Sequence, residues 1–177
     1  GDVDAAIEKY ERAVRLDPDN SRSRVSLGAA WVRRGEHERA LPHLKRAVEL
    51  SPNDMIAWHN LGLAAHQEGD IDLETRAFRK AVELDPYFAV IWHHLGRALV
   101  KKGELREAVS AFEHSLALEP TEPETMIALG LARARLGELK NARKVLTEAI
   151  AINFQEAKEI LSAETIPENL NKFIKSL

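Results

Sequence analysis

Residues 89–122 read AVIWHHLGRALVKKGELREAVSAFEHSLALEPTE, and the landmarks of this stretch recur along the whole chain. Its proline, Pro120, is the last of four at 34-residue intervals, after Pro18, Pro52 and Pro86. Its second glycine, Gly103, belongs to a column with Gly1, Gly35, Gly69 and Gly137, and its first, Gly96, to a column with Gly28, Gly62 and Gly130. These two columns hold all nine glycines, so the repeat organises the entire chain. Within each period there are two runs of helical spacing: Trp92, Leu95 and Leu99 follow one stripe, as do Trp58, Leu61 and Ala65, and Ala108, Phe112 and Leu116 follow a second. Each period is therefore a helical hairpin. The glycine at 35, 69, 103 or 137 follows the first helix, where a left-handed residue ends it at least cost. The glycine at 28, 62, 96 or 130 sits inside that helix at a cost of about 1 kcal/mol relative to alanine, which close approach of the neighbouring helix would offset. Proline stops the second helix and lets the chain turn.

Composition agrees with a folded helical protein: of 177 residues, 45% are apolar and 30% charged. No apolar run reaches the roughly 18 residues of a membrane span, and the first residues lack the basic and apolar segments of a signal peptide. The absence of cysteine removes disulfides, thiolate nucleophiles and zinc–thiolate sites, and leaves the compartment open. A formal charge of -3 gives no reason to expect nucleic acid.

The pattern resembles the tetratricopeptide repeat (TPR), W-x2-L-G-x2-Y, then A-x3-F, then P in 34 residues. Residues 89–122 match it best, with Trp92, Leu95, Gly96, Ala108, Phe112 and Pro120; residues 55–88 supply Trp58, Leu61, Gly62, Phe78 and Pro86 but hold Glu74 where the family has a small residue. Residues 21–54 put Arg24 in the Trp position and Trp31 in the Tyr position, and residues 123–156 are degenerate, with Met126, Arg133 and Phe154 in the Trp, Tyr and Pro positions. Residues 1–20 match only a second helix, through Ala6, Tyr10, Ala13 and Pro18, so the chain starts halfway through a repeat. Residues 157–177 are expected to form capping helices. Their last part, from Thr165-Ile166-Pro167-Glu168, reads as a capping-box start followed by a helix with Ile166, Leu170, Phe173, Ile174 and Leu177 on one stripe. It either covers the last hairpin, fills the groove or docks on another copy.

The resemblance implies an all-α, right-handed α-solenoid whose first helices line a concave face that binds a protein or peptide, with no cofactor and no metal. Its expected lining is Arg22, Val25, Ala29 and Arg33, then His59, Asn60, Leu63 and His66, then His93, Arg97 and Lys101, and finally Ile127, Leu131 and Arg135. This set is aliphatic and basic, with Glu124 its one acidic neighbour, and suits a peptide with apolar anchors and carboxylates. The cations near helix ends, such as Arg33, Lys101 and Arg135, equally complement the helix dipole, whereas Arg97 lies mid-helix. Where some TPR domains clamp a terminal carboxylate, this chain keeps only Asn60 of the set, and the column Ser26, Asn60, His94, Ala128 is no asparagine ladder.

Catalysis is not expected. Every glycine serves the repeat, which leaves none for a phosphate-binding loop, and G-x-S-x-G does not occur. His59 and His66 are seven apart, about 10 Å along a helix, instead of the i,i+4 spacing of a metal pair, and His93 and His94 diverge by about 100°. A metal shared by His59 and His93 stays open as a minor alternative to hydrogen bonding with a peptide. Two other readings stand beside the scaffold: the substrate-recruiting arm of a larger enzyme, and a self-assembling scaffold in which Val3, Ile7, Tyr10 and Val14 form a stacking edge.

Overall fold

A computed structural model describes residues 2–175; Gly1, Ser176 and Leu177, the last of them part of the expected C-terminal stripe, lie outside the described residues. Those described are helical and contain no strand. They divide into two compact units, residues 1–86 and 87–177. The first holds α1 (Asp2–Leu16), α2 (Ser21–Arg34), α3 (His37–Leu50), α4 (Met55–Glu68) and α5 (Ile71–Leu84). The second holds α6 (Ala89–Lys102), α7 (Leu105–Leu118), α8 (Pro123–Arg135), α9 (Leu139–Ile152), α10 (Phe154–Ala163), a 3-10 turn (Glu168–Leu170) and α11 (Asn171–Ile174).

Hairpins α2–α3 and α4–α5 form the first unit with α1, and α1 packs on α2 as α3 packs on α4. Inside each hairpin the mid-helix glycine lets the partner helix come close. A methyl group on Gly62 would lie 2.6 Å from the Phe78 ring, and one on Gly28 would lie 2.5 Å from Leu44. The glycine after α4 does the second job read from the sequence. Gly69 takes φ 74°, its N–H reaches the His66 carbonyl at 3.2 Å, and the Asp70 N–H reaches that of Ala65 at 3.0 Å, closing the helix end. At the other end, Asn20 and Asp54 accept the N–H groups of Ser23 and Ala57 at 2.9 and 3.1 Å, capping α2 and α4.

The Arg24 in the Trp position keeps one function of the residue it replaces. Trp58 donates its indole N–H to the Pro52 carbonyl at 2.7 Å, and Arg24 donates Nε–H to the Pro18 carbonyl at 2.5 Å. Both tie a first helix to the proline turn before it. In the Tyr position, Trp31 is buried with the Arg39 guanidinium 3.5 Å above its ring centroid.

Two expectations at the termini are corrected. Val3, Ile7, Tyr10 and Val14 do not form a free stacking edge: Ile7 is core, and the other three are partly buried against the same cluster, because this stripe of α1 faces the hairpin that follows. At the other end, no capping-box helix begins at Thr165. Pro167 is extended at ψ 138° and caps nothing with its side chain, so the chain enters a 3-10 turn and only then the four-residue α11. Leu170 is fully buried and anchors this segment. The preceding helix starts at Phe154, capped by Asn153, whose Oδ1 accepts the Glu156 N–H at 3.1 Å.

Candidate functional site

In the second unit, first helices α6 and α8 lie side by side, and α10 packs against α8 and α9. A cleft of about 230 Å³ opens between α6, α8 and α10. Apolar side chains form its floor: Ile127 and Leu131 are buried in α8, and α8 packs against α6 and α7. Its rim carries Arg97 and Lys101 from α6 and Arg135 from α8. Expected lining residues from the two helices thus meet in one place, but Ile127, Leu131 and His93 do so as buried wall, not as free side chains.

His93 is the centre of a polar network at one end of this cleft. Its Nδ1 is 2.8 Å from the hydroxyl of Thr125, itself buried, and its Nε2 is 3.5 Å from Glu124 Oε1. Burial lowers the imidazole pKa below 6.5; Glu124 opposes this and Arg97 adds to it. Burial thus favours the neutral ring, and in the tautomer that carries its proton on Nε2 the Nδ1 atom accepts from the Thr125 hydroxyl. Arg97 donates to Glu124 at 2.7 Å and stands 3.9 Å from Glu164, the residue that ends α10. Glu164 escaped the sequence reading because it lies beyond the last period, where no register assigns a face to a residue.

The expected residues of the first unit are more dispersed. Val25 is in the core and presents no free side chain. Ala29 and Arg33 line a separate cleft with α1, and Arg22 is exposed. Asn60 turns its amide back to the Ile56 carbonyl at 2.8 Å, while Leu63 is half-buried. His59 is half-buried, and burial lowers its pKa. His66 places Nδ1 2.6 Å from Glu74 Oε1, and that carboxylate is fully buried. The residue that breaks the family pattern at 74 is thus accommodated by a hydrogen bond, as a buried carboxylate must be. No group of three or more His, Asp or Glu among the described residues is placed to hold a metal ion.

Consecutive antiparallel helix pairs, each closed by a left-handed glycine and locked by a glycine–aromatic or glycine–leucine contact, define a tetratricopeptide repeat protein, an all-α solenoid class built for protein interaction. The chain belongs to the cilia and flagella-associated protein 70 C-terminal domain family, whose sequence profile matches residues 1–171. Among solved structures it is similar to MamA, at 26% identity and a TM-score of 0.81 over 89% of this chain and 92% of that one. It is also similar to MamA 41-end from Desulfovibrio magneticus RS-1, at 20% identity and a TM-score of 0.79 over 88% of each chain. The third is YrrB, described as a TPR protein with an unusual peptide-binding site, at 21% identity and a TM-score of 0.79 over 86% of this chain and 78% of that one. No curated protein matches the sequence. No helix among the described residues is long and apolar enough to cross a membrane.

Proposed function

We propose that this domain is a non-catalytic scaffold that holds a peptide or helix with apolar and acidic residues against its first helices. The observation that carries this reading is the cleft of the second unit, with an aliphatic floor of Ile127 and Leu131 and a rim bearing Arg97, Lys101 and Arg135. Such a surface rewards a guest that buries a few aliphatic side chains and brings carboxylates to the edge. In the first unit, Leu63 and His66 of α4 are half-buried members of the expected lining. Peptide binding by a protein of this fold, YrrB, lends the reading support, and the family's name points to cilia and flagella as the place to look for the partner.

The test is capture from a ciliary protein fraction by the wild type, Arg97→Glu and Leu63→Asp in parallel, followed by calorimetric titration of the purified partner. Both variants should keep the helical circular-dichroism signal and bind roughly tenfold more weakly, about 1.4 kcal/mol each. Undiminished affinity in both moves the site to the outer helices.

A further inference from the structure

The cleft already has a guest from its own chain. Ile160 lies in the last turn of α10 and Glu164 is the residue that ends that helix, its N–H bonded to the Ile160 carbonyl at 3.2 Å, and both border the cleft between α6 and α8. Ile160 is half-buried there, beside the apolar floor, and Glu164 stands 3.9 Å from Arg97. After α10 the chain continues across the end of α8. Arg135 reaches the Thr165 carbonyl at 3.4 Å, and Asn169 donates to the Ala134 carbonyl at 2.9 Å. Buried Leu170 pins the segment in place. Two rim cations are therefore each met by residues 164–165: Arg97 by the Glu164 carboxylate, as a bound acidic peptide would meet it, and Arg135 by the neutral Thr165 carbonyl.

We propose that Ile160 and Glu164 are a resident copy of the feature by which this cleft recognises its partner: an aliphatic residue followed four positions later by a carboxylate. The partner's carboxylate displaces Glu164 from Arg97, and its aliphatic side chain enters the cleft over Ile127 and Leu131. This rests on the groove reading above and adds the ligand pattern and an internal competitor. The hold is weak enough to be displaced, because the Arg97–Glu164 pair is solvent-exposed, Arg97 at 40% and Glu164 at 37%. Charge complementarity also selects this occupant over an apolar one, since the carboxylate of Glu164 stands beside the Arg97 guanidinium.

The experiment uses the whole chain and a fluorescein-labelled peptide copying residues 157–168, which contains the Ile160–Glu164 pair. Glu164→Gln removes the second carboxylate beside Arg97, leaving its 2.7 Å bond to Glu124 in place, with almost no change in side-chain size, and two readouts follow. Amide hydrogen exchange of residues 165–170 should quicken in E164Q while that of α6 and α8 is unchanged. By fluorescence anisotropy, the peptide should bind E164Q roughly two- to fivefold more tightly than it binds the wild type, the range an exposed ion pair supplies. That gain should vanish in the double variant Arg97→Gln/Glu164→Gln, and also for a peptide in which its own glutamate is glutamine. Equal affinity for wild type and E164Q, including no binding to either, overturns the proposal, as does unchanged exchange at 165–170. Those outcomes leave the groove reading to its own test, because loss of the captured partner in Arg97→Glu does not depend on Glu164.

Discussion

Gly96 shows how little freedom one residue has in this fold. A methyl group there would lie 2.5 Å from the Phe112 ring, against a rigid aromatic edge with no flexible end to give way. Alanine gains about 1 kcal/mol in helix propensity, but overpacking a filled site costs 1–3 kcal/mol. Gly96→Ala is therefore expected to lower stability by about 1 kcal/mol in urea unfolding. With Phe112→Ala as background the ring is gone, and the same change becomes neutral or stabilising by up to about 1 kcal/mol; a penalty that survives there would place the strain elsewhere. The glycine could be read from sequence because it recurs four times, whereas its contact atom could not. Histidine is the converse case. Burial lowers the pKa of His43, His59 and His93 below 6.5 in the folded chain. Near pH 6 the unfolded state then binds more protons than the folded one, so their contribution is complete above about pH 6.5 and is lost as the pH falls through the folded-state values. Urea midpoints between about pH 7.5 and about pH 5 should drop, and His93→Gln should flatten part of that drop. An unaltered slope would mean that His93 keeps its ordinary affinity for protons.

Among the elements, helix starts separate what the pattern reveals from what it hides. Asn20, Asp54 and Asp70 cap α2, α4 and α5 with side-chain bonds, yet Phe88 occupies the same position before α6 with no such bond and is 45% exposed. Its backbone, φ -100° and ψ 101°, is close to that of Asp54 at φ -88° and ψ 100°. Aspartate there should therefore accept the N–H of Ile91, and Phe88→Asp is expected to stabilise the chain by about 0.5–1 kcal/mol in urea unfolding. A loss instead would show that the Phe88 ring packs usefully where it stands. Helix positions up to α9 follow from the period, because glycine and proline punctuate it at fixed intervals. Beyond Asn153 that punctuation stops. Asn153 caps α10 directly, and Pro167 adopts an extended backbone, so a proline that looked like the first turn of a helix precedes a 3-10 turn instead. Local chemistry permits both, and the 3-10 turn that forms leaves Leu170 fully buried.

At the scale of the molecule, the formal charge is -3, yet the cleft rim of the second unit gathers Arg97, Lys101 and Arg135. A partner that brings carboxylates to this rim is held partly by screened charge, and its affinity should fall roughly three- to tenfold as NaCl rises from about 0.05 to about 0.5 M. Calorimetry over that range checks it, and a flat response would assign binding to the aliphatic floor alone. The basic and aliphatic character of this surface was legible from residues at fixed positions of the repeat. Of its two acidic counterweights, Glu124 was legible in the same way and Glu164 was not, for Glu164 ends a helix outside the period. Burial was also hidden, since helical spacing puts Val25, Ile127 and Leu131 on an inner face without saying how closely the next helix covers them.

The three indoles stand in three successive hairpins and in three different settings: Trp31 beneath a guanidinium, Trp58 tied through its N–H to Pro52, and Trp92 stacked on His114 with ring centres 4.6 Å apart. Nature has thus distributed an intrinsic fluorophore to each of these repeats. Variants that retain one indole at a time would emit with their own wavelength and quenching, so melting of neighbouring hairpins can be followed optically, one after another, without attaching a dye.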